Sequence, residues 1–174
     1  AVFLPEDLIA VKALFMDRQP DSIVALSDVT ADRLDHRAAS ELFQRDPSVA
    51  ARIAFQLGED ERRLHNWNIG HGCADARERI AFMYVELFGR LKRLRLLRDE
   101  KSFTCPMTQQ QIGDRVGLTV VHVNRVLRRL REDGILTVHS RRVTVGNLAE
   151  LARIAEPLFD VFERSTPEFC PKAA

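Results

Sequence analysis

Two short neighbouring stretches in the second half of the chain space their apolar residues as helices do. Thr108 is followed three residues later by Gln111, a pair that caps the start of a helix reciprocally. Gly117 permits the left-handed backbone that ends such a helix, and Thr119 stands where a second helix needs its cap. The pattern predicts two short helices joined by a glycine turn, which is the arrangement of a helix-turn-helix.

The second of these helices has two unlike faces. The residues expected to be buried are Val123, Val126, Leu127 and Leu130. The residues of the opposite face are Val120, Val121, Asn124, Arg125 and Arg128, and all but the first follow an i, i+3, i+4, i+7 spacing. Because arginine pairs with guanine and asparagine with adenine in the major groove, this face is predicted to read DNA bases. A solvated face on an ordinary helix is the alternative.

A hairpin is predicted directly after this helix. Residues 135–139 alternate as a strand does, and residues 142–145 supply a return strand. We interpret the pair as the wing of a winged helix, with Arg141 or Arg142 placed to touch phosphate. Asn147 is expected to cap one more helix, which packs against the wing.

A long helix is predicted earlier in the chain. Asp46 can cap it, Pro47 favours its first position, and it is expected to run to about Gly70. Its apolar residues near the spacing of a coiled-coil seam are Ile53, Leu57, Leu64 and Trp67. Periodicity leaves two alternatives equal: the helix pairs with a second copy, or it packs inside one subunit. The glycines of residues 70–72 are expected to end it.

The next helix is predicted to begin after Asp75, which can cap it. Six apolar residues line one side of it: Ile80, Met83, Tyr84, Leu87, Phe88 and Leu91. This stripe is expected to form part of the core on which the helix-turn-helix rests.

Charge is uneven along the chain although the net charge is only +1. Residues 1–46 hold 5 basic and 9 acidic residues, whereas residues 73–146 hold 15 basic and 8 acidic ones. The second segment has the charge that a polyanion-binding domain needs. The basic run of residues 90–95 is by itself more typical of a solvated helix face.

Composition narrows the class of protein. With 45% hydrophobic and 29% charged residues, the chain is typical of a soluble globular protein. No apolar run approaches the roughly 20 residues of a membrane span, and no signal peptide pattern is present. Cys73, Cys105 and Cys170 are odd in number and far apart, which argues against a disulfide framework or a zinc module and favours the cytoplasm. The start at Ala1 suggests a piece of a longer protein.

An enzyme is not indicated by any local pattern. The sequence lacks a glycine-rich phosphate loop, a nucleophile elbow and a histidine and carboxylate cluster at ligand spacing. Cys105, beside Pro106, is more typical of an ordinary thiol than of a nucleophile.

From about Pro5 to Ala155 the chain resembles the Crp/Fnr family, the dimeric bacterial regulators related to the cyclic-AMP receptor protein. The resemblance is strongest in residues 108–136 and in residues 76–81, and weaker in residues 4–9, which are similar to the end of the jelly-roll sensor of that family. It implies a mainly helical fold with small β elements. Residues 1–46 would be the last part of the sensor β-roll, with closing strands between Ser22 and Leu34.

The resemblance also implies the remaining organisation. Residues 47–72 would be a dimerisation helix, residues 73–155 a winged helix-turn-helix, and residues 156–174 a C-terminal extension. Pairing of the long helix with its own copy becomes the favoured alternative, through Ile53, Leu57, Leu64 and Trp67. The expected partners are double-stranded DNA, a second copy of the chain and RNA polymerase, without a membrane.

Departures from the family pattern bear on cofactors. Members that bind cyclic AMP carry a Gly-Glu pair and an Arg-Ser or Arg-Thr step, where this chain has Ala10-Val11 and Asp21-Ser22. Because a carboxylate at Asp21 would repel phosphate, cyclic nucleotide binding is not expected. The histidines, including His36, His65 and His71, are scattered singly, so haem or metal ligation is not expected either. No cofactor is therefore predicted, and an iron-sulfur cluster stays open, because family members that carry one hold it mostly through cysteines near the N-terminus, a region that this chain does not contain.

The helix that reads DNA departs from the family as well. Many members have glutamate where Val121 stands, whereas Arg125 matches the guanine-contacting arginine of the family. The residues expected to contact DNA are Thr108, Gln110, Thr119, Val120, Val121, His122, Asn124, Arg125, Arg128, Arg141 and Arg142. The predicted function is sequence-specific transcription regulation by a homodimer. The alternative is a winged-helix module that docks a protein partner without reading bases.

Overall fold

The computed structural model describes residues 2–14, 16 and 22–159. Its helices are α1 His36–Arg45, α2 Pro47–Cys73, α3 Ala76–Arg93, α4 Gln109–Val116, α5 Val120–Glu132 and α6 Leu148–Ala155. Its strands are β1 Ser102–Thr104, β2 Leu136–His139 and β3 Arg142–Val145, and single turns of 3-10 helix cover Val11–Leu14 and Glu156–Leu158. The chain divides into two compact units between Leu64 and His65.

The described part of the first unit lacks the strands that were expected between Ser22 and Leu34, and helix α1 follows that segment. No strand occurs in its described residues, so the predicted closing strands between Ser22 and Leu34 are wrong. A strand requires a neighbouring strand with which to form hydrogen bonds, and the described part of this unit supplies none. Val24 in this segment belongs to no helix or strand, and its side chain is 74% exposed. Helix α1 was not predicted, although Asp35 signals it: its carboxylate accepts a hydrogen bond from the Ala38 N–H at 2.8 Å.

Helix α2 begins as predicted and ends later than predicted. Asp46 accepts a hydrogen bond from the Ser48 N–H at 3.0 Å, as an N-terminal cap does. The helix then continues through residues 70–72 to Cys73, so the predicted break is wrong. Gly70 has a packing role instead, because a Cβ at this position would overlap the side chain of Leu158. The glycine allows the 3-10 turn after α6 to approach the helix closely.

Helix α3 is the centre of the second unit. Asp75 and Glu78 form a full capping box at its start, which confirms the predicted cap. All six residues of the predicted apolar stripe are buried. The helix packs against α4, α5, α6 and the turn that follows α6. Leu158 in that turn is buried, and the centre of the Phe159 ring lies 4.7 Å from that of Phe82. The first residues of the expected C-terminal extension therefore pack against the core. Residues 160–174 lie outside the described part.

The wing is a sheet of three antiparallel strands in the order β1-β3-β2. Strands β2 and β3 form the predicted hairpin, with His139 opposite Arg142. Ser140 and Arg141 between them both have positive φ, 47° and 65°, as the two-residue turns of tight hairpins do. Strand β1, which was not predicted, adds a third strand by pairing Phe103 with Val143.

Two glycines determine how closely α4 and α5 approach each other. Gly117 has a φ of 67° and ends α4, as predicted. Gly113 lies inside α4, and its carbonyl accepts a hydrogen bond from the Leu118 N–H at 2.9 Å. A Cβ on Gly113 would lie 2.5 Å from the carbonyl oxygen of Leu118. The backbone of the turn therefore packs directly against Gly113, where there is room for glycine alone.

We expect Gly113→Ala to lower the free energy of unfolding of the second unit by about 1–3 kcal/mol, because backbone must shift to admit the methyl group. Gly89→Ala is the matched control. Gly89 lies in α3, and a Cβ added to it would have no neighbour within 4 Å, so alanine there should raise stability by about 0.5–1 kcal/mol. Urea unfolding followed by circular dichroism measures both. Equal changes in the two variants would contradict the close approach.

Candidate nucleic-acid interface

The two helices of the helix-turn-helix have the predicted caps. The Thr108 hydroxyl accepts a hydrogen bond from the Gln111 N–H at 3.2 Å, and the Gln111 side chain accepts one from the Thr108 N–H at 2.8 Å. The Thr119 hydroxyl accepts a hydrogen bond from the His122 N–H at 3.3 Å and so caps α5. Both threonines therefore fix the backbone from which the neighbouring side chains project.

Helix α5 has the two faces that its sequence predicted. Val123, Val126 and Leu130 are buried, and Leu127 is half-buried. Four residues on the opposite side are exposed and are called the α5 face: Val121, Asn124, Arg125 and Arg128. His122 is exposed as well, whereas Val120 is half-buried. The α5 face therefore offers two guanidinium groups, an amide and an isopropyl group to whatever lies in front of the helix.

The α5 face forms one wall of a shallow depression of about 550 Å³. Its lining residues are Gln109, Val121, Asn124, Arg125, Leu127, Arg128, Arg131 and Val138. Sequence reasoning missed Gln109 and Arg131. Arg131 lies seven residues after Asn124, so continuing the helical spacing by one turn would have found it. Gln110, which was expected instead of Gln109, donates from its amide to the Asp114 carboxylate at 2.7 Å.

The two arginines of the wing have different surroundings. Arg142 donates to the Asp99 carboxylate at 2.8 Å and to the Ser102 hydroxyl at 2.9 Å. Hydrogen bonds from the Ser102 hydroxyl and the Lys101 N–H, with the nearby charge of Arg142, hold the pKa of Asp99 below its ordinary value. Arg141 is exposed at the tip of the turn, and the described residues offer its guanidinium no carboxylate within ion-pair distance.

A buried cluster of charges lies behind the helix-turn-helix. The Glu86 carboxylate, 9% exposed, accepts from Arg115 Nη2 at 3.1 Å and from Trp67 Nε1 at 3.0 Å. Arg90 Nη1 lies 3.6 Å from the other carboxylate oxygen. These side chains come from α2, α3 and α4. The cluster was not predicted, because Glu86 and Arg115 are distant in sequence and no local pattern connects them.

Arg115 is held in the cluster by two further effects. Its guanidinium carbon lies 4.5 Å from the centre of the Trp67 ring, in the geometry of a cation–π contact. Burial lowers the pKa of Arg115, and the charge and hydrogen bond of Glu86 oppose that shift. Trp67 also packs edge to face against Phe82 at 5.0 Å. The contacts of Trp67 therefore connect the C-terminal part of α2 with the C-terminal end of α4.

The residues expected at a dimer interface differ in accessibility. Leu57 and Leu64 are 37% and 51% exposed, and Ile53 is half-buried. Trp67 is only 8% exposed and packs within its own chain, so it offers little surface to a second copy. Asp60, which interrupts the seam, forms an ion pair with Arg63 on the same helix.

The described residues contain neither a metal-binding cluster nor a membrane-spanning helix. Within residues 2–14, 16 and 22–159, no group of three or more histidine, cysteine, aspartate or glutamate side chains is arranged to hold a metal ion. Cys73 is exposed and Cys105 is buried, whereas Cys170 and Asp21 lie outside the described part. None of the described helices is long and apolar enough to cross a bilayer.

Comparison with known proteins agrees with this geometry. The Crp-like helix-turn-helix domain matches residues 78–154, which hold α3 to α6 with the three-stranded sheet. The matched stretch is 77 of the 174 residues, and this part of the chain is similar to the Crp-like helix-turn-helix domain. The curated proteins that the chain is similar to include a transcriptional activator protein and a transcriptional regulatory protein.

Two curated relatives illustrate the match. The transcriptional activator protein FnrL of Cereibacter sphaeroides is 24% identical over 147 residues, covering 83% of this chain and 58% of that protein. The fumarate and nitrate reduction regulatory protein of Vibrio cholerae is 25% identical over 155 residues, covering 89% of this chain and 61% of that protein. The chain thus spans about three fifths of the length of these relatives.

Solved structures show the same fold. FixK2 from Bradyrhizobium japonicum has a TM-score of 0.61 and 24% identity, with 70% of this chain and 59% of that one covered. A CooA mutant from Carboxydothermus hydrogenoformans has a TM-score of 0.58 and 21% identity, with 70% and 55% covered. The expectation of a mainly helical Crp-like fold with small β elements is thereby confirmed at the level of the fold.

We expect Glu86→Ala to lower the free energy of unfolding by about 3–5 kcal/mol, because Arg115 would stay buried without its counter-charge. Glu86→Gln should cost less, since an amide oxygen can still accept from Trp67. Glu150→Ala is the control: it removes an exposed ion pair with Arg153 and should change stability little. Urea unfolding of the three variants measures this. A Glu86→Ala variant as stable as the control would refute the role of the cluster.

Proposed function

We propose that this chain is a member of the Crp/Fnr family, a sequence-specific DNA-binding transcription regulator that acts as a homodimer on a near-palindromic site. The observation that carries the proposal is the α5 face. A helix that buries Val123, Val126 and Leu130 presents Asn124, Arg125 and Arg128 outward from a rigidly capped helix-turn-helix. Such a helix has the size and the hydrogen-bonding groups that a major groove accepts.

Arg125 and Asn124 are the proposed base-reading residues. The guanidinium of Arg125 can donate two parallel hydrogen bonds to guanine O6 and N7, and the amide of Asn124 can bind adenine N6 and N7. Both side chains are exposed on adjacent positions near the N-terminal half of α5, which is the part of a recognition helix that reaches base edges. Arg128 and Arg131, farther along the helix, are proposed to contact phosphates.

Arg141 is proposed as the phosphate contact of the wing. Arg142 already lies against Asp99 and Ser102, so its charge is balanced before DNA arrives. Arg141 stands at the tip of the same turn, where it is exposed and has a positive φ. This assignment divides a pair that the sequence left as alternatives: Arg142 fixes the wing, and Arg141 binds the backbone.

The proposed dimer forms through α2. Leu57 and Leu64 on this 27-residue helix are exposed, and apolar side chains exposed on one long helix favour a paired helix. Two copies would present two α5 helices to successive major grooves about 34 Å apart. A second copy, double-stranded DNA and RNA polymerase are the proposed partners, and the cytoplasm is the proposed location.

Base reading by Arg125 can be tested on a site selected by the protein from random oligonucleotides. We expect Arg125→Ala to weaken binding to the selected site by about 1–3 kcal/mol more than binding to random duplex, because a bidentate contact to one base is lost. Fluorescence anisotropy at fixed salt measures both affinities. Equal losses on the two DNAs would refute base reading.

Two control variants separate this effect from charge alone. Arg141→Ala should weaken both DNAs equally, as loss of a phosphate contact does. Arg153→Ala should leave both affinities unchanged, because Arg153 lies outside the α5 face and already pairs with Glu150. A protein that selects no sequence, yet keeps its fold, would favour the module that docks a protein partner.

The dimer can be tested by placing charge on the exposed seam. We expect the double variant Leu57→Glu, Leu64→Glu to sediment as a monomer. Each chain would then bring two carboxylates into the interface, where they would be buried beside the like charges of the second copy. Analytical ultracentrifugation over a range of concentrations gives the association state. The same method should report an unchanged assembly for Leu96→Glu, which alters an equally exposed leucine outside α2 (45% exposed). A seam variant that remains dimeric would place the interface elsewhere.

A further inference from the structure

Val121 is unusually exposed for an apolar residue of the second unit. Its exposed fraction is 69%, against 45% for Leu96 and 39% for Leu148 in the same unit. Valine gains little for the helix at such a position, because its β-branch lowers helix propensity and the largely exposed isopropyl group buries little surface. The residue therefore has no evident role in the stability of the described fold.

The position of Val121 connects it with the base-reading residues. Asn124 and Arg125 follow it by three and four residues, so all three project from one side of α5. Val121 also lines the depression in front of α5, together with the half-buried side chains of Leu127 and Val138. A ligand that meets the amide of Asn124 and the guanidinium of Arg125 consequently meets the isopropyl group of Val121.

Valine restricts what can be recognised at this point. Its side chain has no hydrogen-bond donor or acceptor, so it cannot read the nitrogen and oxygen atoms of a base edge. The apolar group that DNA presents in the major groove is the C5-methyl of thymine, and cytosine lacks it unless it is methylated. Apolar contact with this methyl is the one form of base discrimination that an exposed valine on such a helix can provide.

We propose that Val121 reads a C5-methylpyrimidine beside the bases read by Arg125 and Asn124. The inference rests on the proposed function, since it requires α5 to lie in the major groove. Thymine and 5-methylcytosine share the recognised group. The protein should therefore distinguish thymine from uracil, and methylated from unmethylated cytosine, at one position of each half-site.

The test uses the full chain and the site selected from random oligonucleotides. Each thymine of a half-site is replaced in turn by deoxyuridine, which removes only the methyl group, and affinity is measured by fluorescence anisotropy. At one position we expect binding to weaken by about three- to tenfold, the effect of losing burial of one methyl group. At that position, 5-methylcytosine should bind more tightly than cytosine by a similar factor.

Two variants assign the effect to the side chain. Val121→Ala should narrow the difference in affinity between the thymine and deoxyuridine probes, because the two γ-methyl groups that reach farthest from the helix are gone. Leu148→Ala, an apolar truncation on α6 outside the depression, should retain the discrimination of the unaltered protein.

The outcomes separate this inference from the proposed function. If the unaltered protein binds a selected site and tolerates deoxyuridine at every position, methyl reading is overturned while DNA binding stands. Discrimination that persists undiminished in Val121→Ala also overturns it, because the methyl would then act through another residue or through the stiffness of the DNA. If no sequence is selected at all, both proposals fail together.

Discussion

A single buried carboxylate holds the helix-turn-helix to the rest of its unit. Glu86 accepts from Trp67 on α2 and from Arg115 on α4, with Arg90 on its other side. An unpaired charge buried in this position would cost several kcal/mol of folding free energy. The three helices are therefore expected to pack together as one unit, because separating them would return these charged groups to water. The stacking of Arg115 on the Trp67 ring adds a second requirement on the same geometry. The position of α4 is thus determined by side chains that lie outside the helix-turn-helix.

The turn between α4 and α5 connects the position of α4 to that of α5. Arg79 of α3 donates to the Val116 carbonyl at 2.9 Å, immediately before Gly117. A Cβ on Gly117 would lie 3.2 Å from His71 Nδ1 and 3.3 Å from Arg79 Nη1, so α2 and α3 both contact the turn. On the other side, Gly113 packs directly against the Leu118 carbonyl, so the backbone of the turn has little room to change conformation. The direction of α5 therefore follows from packing at the end of α2.

Sequence reasoning succeeded where the decisive signal was local. Capping residues such as Thr108 and the left-handed Gly117 act within a few residues, so the helix boundaries and both faces of α5 could be read from their neighbours. It failed where partners are distant. Strand β1 has three residues and exists only because β3 pairs with it, and Gly70 looked like a helix breaker because its contact with Leu158 lies far along the chain. The Glu86 cluster has no local signature for the same reason.

The distribution of ion pairs explains how a chain of net charge +1 can present a basic surface. In the second unit, carboxylates are paired with arginines that have structural roles: Glu86 with Arg115, and Asp99 with Arg142. Among the described residues, no carboxylate lies within ion-pair distance of Arg125, Arg128 or Arg131 on α5. Fixed pairs have little field outside themselves, whereas unpaired cations on one helix act together. Part of the surplus that the composition shows for residues 73–146 therefore lies around the depression in front of α5, at Arg125, Arg128 and Arg131, where Asn124 and Val121 also line the surface.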